Sequence, residues 1–133
     1  MNAKILMVGS SGILAIGGLA ALFAPHELAA ALDAPPIAGS GIAIQLLGTM
    51  YLAFAITNWT GKDKPIGGIY SRPLSLGNFV HFMIGTLVLL NRAVDGNAPP
   101  ALIAVAVVYA VLAVAFGRLA FGGSAAVTAG AGR

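Results

Sequence analysis

The sequence predicts an all-α integral membrane protein: a four-helix bundle, up-down-up-down, with both termini in the cytoplasm. Three observations predict it. Charged residues make up 8% of the 133-residue chain and hydrophobic residues 59%, with a mean hydropathy of +0.94. A soluble domain carries about 25% charged residues, so there are too few charges here to cover a water-facing surface. Four apolar segments approach the roughly 20 residues that a helix needs to cross hydrocarbon. The basic residues, finally, fall almost wholly on one side of the connectivity that those segments imply.

The first segment runs from about residue 5 to 24 and stops at Pro25. It follows a lysine and precedes small residues, as a signal peptide would, but its apolar run is long for one. It is read as a retained helix. Pro35 and Pro36 precede the second segment, about 37–59. The third, about 74–92, follows a stretch containing Pro65, Gly67 and Gly68, and Pro73 suits its first turn. The fourth, about 101–121, follows Pro99 and Pro100. Proline opens a helix well and continues one badly. Taken alone, the Val- and Ala-rich fourth segment could be a buried strand, but its length and three apolar companions favour a helix. Arg92 and Arg118 close the last two segments by snorkelling to the interface. Residues 1–121 thus form one domain, and the Gly-rich 122–133 reads as a flexible tail. Within the Pro25–Pro36 connection, Leu28 and Leu32 lie four apart among alanines, which predicts a short helix on the membrane surface.

Four spans put both termini and the middle loop on one side. That side holds Lys4, Lys62, Lys64, Arg72, Arg118 and Arg133; the other holds only Arg92. The positive-inside rule places the basic side in the cytoplasm and the protein, multi-pass, in the inner membrane of a cell. Trp59, Tyr70 and Arg72 are then interfacial anchors at the basic side. The net charge of +3 comes from scattered residues without a basic patch, which argues against nucleic acid as a partner. The lipid bilayer is the partner that composition demands. There are no cysteines, which excludes disulfides, thiolate metal sites and cysteine nucleophiles.

The polar residues inside the spans carry what functional signal there is. Asn78, His81 and Gly85 are spaced three and then four apart, so they share a face of the third helix. His81 lies about 10 Å inside the helix start at 1.5 Å per residue. Polar groups at that depth need partners and face a bundle interior or a cavity. Counting depth down the antiparallel second helix brings Thr49 to the level of His81 and Gln45 to the level of Gly85. The expectation is a cluster of Gln45, Thr49, Asn78 and His81 between the second and third helices. It would serve as interhelical bonding or as a ligand contact, with a quinone or a lipid as the candidate ligand. No cofactor is otherwise expected. His26 and His81 lie at least about 15 Å apart along the membrane normal, too far to share a haem, and no metal site is expected. Gly17 and Ala21, four apart in the first segment, predict a close helix contact. Asn58-Trp59-Thr60 fits a glycosylation pattern by chance, since the topology places it inside.

The stretches "LFAPHELAAALDAPP", "IQLLGTMYLAFAITNW" and "IGGIYSRPLSLGNFVHFMIG" resemble small uncharacterised bacterial four-helix membrane proteins, broadly the DoxX-like group, over roughly residues 5–92. The resemblance implies the four-helix plan and, through members associated with quinone-linked redox complexes, raises quinone contact as a candidate role. It carries no catalytic residue onto this chain. With no nucleophile–base pair and no paired carboxylates visible, the reading is a non-enzymatic structural or accessory subunit of a membrane complex, packing against itself or a larger assembly. The alternatives are a small-molecule or quinone-binding accessory to a redox enzyme, and a small transporter.

Overall fold

The computed structural model describes residues 2–35, 39–63, 71–94 and 96–122. The described chain is all-helical apart from short turns, with no strand among the described residues. The elements are α1 (Ala3–Phe23), α2 (Pro25–Ala31), α3 (Ser40–Gly61), α4 (Ser71–Ala93) and α5 (Pro100–Phe121). Four of them, α1, α3, α4 and α5, are long and apolar enough to cross a membrane. The short α2 occupies the connection where a surface helix was expected.

Local chemistry sets the ends. Asn2 caps α1, its side chain accepting the Lys4 backbone N–H at 3.0 Å. Pro25 and Pro100 each occupy the first turn of a helix, where the missing N–H costs nothing. Gly39 sits at φ +82° just before α3, a conformation that a Cβ disfavours. Asp33 also takes positive φ, at 53°, and its carboxylate meets the Arg92 guanidinium at 3.2 Å. That pair joins the chain after α2 to the end of α4.

Packing is organised as two antiparallel pairs, α1 with α3 and α4 with α5. In the first pair the backbones nearly touch. A Cβ on Gly18 would lie 2.9 Å from the Gly48 carbonyl oxygen, and a Cβ on Gly48 would lie 2.8 Å from that of Gly18 and 3.0 Å from Ala21. The small-residue contact expected in the first helix is therefore made by Gly18 and Ala21. A Cβ on Gly17 meets only the edge of the Tyr51 ring, at 3.4 Å. In the second pair, Gly85 receives the Tyr109 ring and Gly117 the Phe79 ring. The principal partner of α4 is thus α5, whereas the depth argument paired the third span with the second. Large side chains fill the space between the two pairs: Phe82 stacks on Phe116 with centroids 5.8 Å apart, beside Met7, Leu14 and Leu112.

The exterior is apolar. Ile16, Leu46, Ile84, Val88, Val107 and Val114 are all exposed. An outer surface of this kind is solvated by acyl chains, not by water.

Candidate functional site

Two polar groupings lie inside the bundle. The first joins α1, α3 and α4. Asn58 and Asn78 face one another as a reciprocal amide pair: Asn58 Nδ2 donates to Asn78 Oδ1 at 2.8 Å, and Asn78 Nδ2 donates to Asn58 Oδ1 at 2.7 Å. Each amide has a second proton to place. That of Asn58 goes to Ser10 Oγ at 3.0 Å, and that of Asn78 to the Leu74 carbonyl at 2.9 Å. Ser10 passes its own proton to the Met7 carbonyl. Next to it, Ser11 Oγ donates to the Ala55 carbonyl across the helix pair at 2.8 Å. Ser10, Asn58 and Asn78 are completely buried. Among the described residues no buried side-chain nitrogen or oxygen lacks a partner. The arrangement closes on itself, so its chemistry is that of a register lock.

The second grouping centres on His81. Its ring is half-buried and walled by aromatics: Phe54 stacks on it with centroids 5.3 Å apart and planes at 24°, Tyr51 and Phe82 meet it edge-on, and Tyr109 lies tilted at 5.6 Å. The Tyr109 hydroxyl donates to the Tyr51 hydroxyl oxygen at 2.6 Å and makes a longer contact, 3.5 Å, with His81 Nε2. Gly85 makes this possible. A Cβ there would stand 2.6 Å from two carbons of the Tyr109 ring, so only glycine lets Tyr109 lie flat against α4 and reach across to α3.

The four residues expected to cluster are divided. Asn78 belongs to the amide pair and His81 to the aromatic box. Gln45 is exposed and caps the end of α1, its Nε2 donating to the Leu22 carbonyl at 3.1 Å. Thr49 is exposed and returns its hydroxyl to Leu46 of its own helix at 2.7 Å. The physical reason is azimuthal. Gly48 is pinned against Gly18, and Thr49, one residue on, is rotated about 100° around the helix. Tyr51, on the side of α3 turned to α4, takes the place beside His81 that depth alone gave to Thr49, and Asn58, nearer the other end of α3, is the residue that meets Asn78. The signals in the sequence are an amide near the end of the second span, Asn58, and the one polar side chain in the middle of α5, Tyr109. Neither stands out without the helix rotations.

At the basic end, Trp59 is exposed with the Lys62 ammonium 4.0 Å over its ring, and Lys62 Nζ also donates to the Trp59 carbonyl. Arg72 is exposed; Tyr70 lies outside the described residues. Lys4 Nζ contacts Asp63 at 2.7 Å, and Lys62 is 3.7 Å from the same carboxylate. The hydrogen bond from Lys4, with the charges of both lysines, holds the Asp63 carboxyl below the usual carboxylate range. Among the described residues there is no group of three or more His, Cys, Asp or Glu side chains placed to share a metal ion. No protein-family model, curated protein or solved structure matches this chain.

Proposed function

We infer that the chain is a small multi-pass protein of the cytoplasmic membrane that serves as a structural or accessory subunit of a larger membrane assembly, without catalysis of its own. One observation carries the reading. Eight residues are buried in each of α1 and α5, but in α3 only Gly48, Ala55 and Asn58 are. The outward stripe of α3 includes Ile42, Thr49, Ala53, Ile56 and Thr60, all exposed. Small and hydroxyl residues let a second helix approach closely in a bilayer. The internal polar groups support the same reading, since the amide pair and its serines spend their hydrogen bonds on holding helices together. The six basic residues on the side of the termini support a cytoplasmic placement for that side.

The test is a photo-crosslinking amino acid at position 56, used in native membranes, with position 107 on the exposed face of α5 as the reference. A discrete protein adduct at 56 and none at 107 is expected, either to another polypeptide or to a second copy. Lipid adducts alone at both positions would refute the proposal. Impermeant labelling of single cysteines at 27 and 64 reads the orientation: 27 should react from outside the cell and 64 should not.

A further inference from the structure

We draw no further inference here: the strongest candidate, the aromatic box around His81 with the apolar groove beside Phe54 between α3 and α4, carries nothing, because the hydrogen bonds among Tyr51, Tyr109 and His81 can run in either direction and nothing in the structure shows what covers the groove.

Discussion

Replacing Asn78 by leucine tests how much of the fold rests on the amide pair. The substitution removes two hydrogen bonds between α3 and α4. Interhelical bonds in membrane proteins average about 0.6 kcal/mol each, so their loss alone amounts to about 1.2 kcal/mol. The larger effect falls on Asn58. It is completely buried, and it would keep Ser10 as a partner while its carbonyl oxygen and one amide proton go unmet. An orphaned buried amide costs about 1–3 kcal/mol. The expected destabilisation of N78L is therefore about 2–4 kcal/mol, and that of N58L is similar. The double variant removes both amides, orphans neither, and leaves Ser10 bonded to Met7. It should be less destabilised than the sum of the single variants by at least about 1 kcal/mol, the coupling expected of residues in direct contact. Unfolding in bicelles, followed by helical circular dichroism for all four members of the cycle, gives that coupling directly. Additive single effects, or an N78L cost below about 0.5 kcal/mol, would refute the argument that the pair locks the two helix pairs together.

Two further expectations follow from the packing and the charges. Gly18→Ala puts a methyl group 2.9 Å from a backbone oxygen and should cost about 1–3 kcal/mol, as overpacking does, whereas Gly17→Ala meets only a ring edge and should be nearly neutral; equal melting temperatures for the two variants would contradict the helix rotation described here. Asp63 is held below its ordinary value of 3.8 by Lys4, so its contribution to stability is complete above about that pH and fades as pH falls through the lowered value. D63N should flatten that acid limb in a stability-versus-pH series and leave the neutral range with little pH dependence, while an unchanged acid limb would show that the Lys4 contact is not made in solution.

Legibility of this fold in the sequence was uneven for a physical reason. The spans could be read because length and hydropathy define them, and because Pro25, Pro73 and Pro100 mark helix starts. Depth could be read because a helix rises regularly. Rotation could not. In a soluble helix the buried face is the apolar one, but here exposed Leu46 and Ile84 are as apolar as buried Leu14 and Phe82. With hydrocarbon on both sides of the helix surface, the amphipathic period that would orient it disappears. The remaining orienting signals are small and polar residues, and they are ambiguous singly: Gly17 and Gly18 are adjacent in sequence, yet only one meets Gly48. Thr49 and Tyr51 were equally eligible by depth to sit near His81, and the Gly18–Gly48 contact decided for Tyr51. Asn58 was overlooked because its position near a helix end suggested an interface, whereas the antiparallel stagger carries it inward to Asn78.

The division into an α1–α3 pair and an α4–α5 pair also bears on how such a chain is made. Synthesis delivers the first hairpin before the second exists. At that moment Gly18 and Gly48 can already close, because both their contact surfaces have been translated. Asn58 cannot be satisfied, because half of its bonding capacity belongs to a residue still to come. The nascent hairpin is therefore compact but carries an exposed amide in an apolar setting. That amide disappears from view only when α4 docks in the correct register. A chain truncated after the first hairpin, or one whose second hairpin is misplaced, keeps it on display. Incomplete molecules thus carry a polar mark that finished ones lack, and membrane quality control has a physical basis for telling them apart.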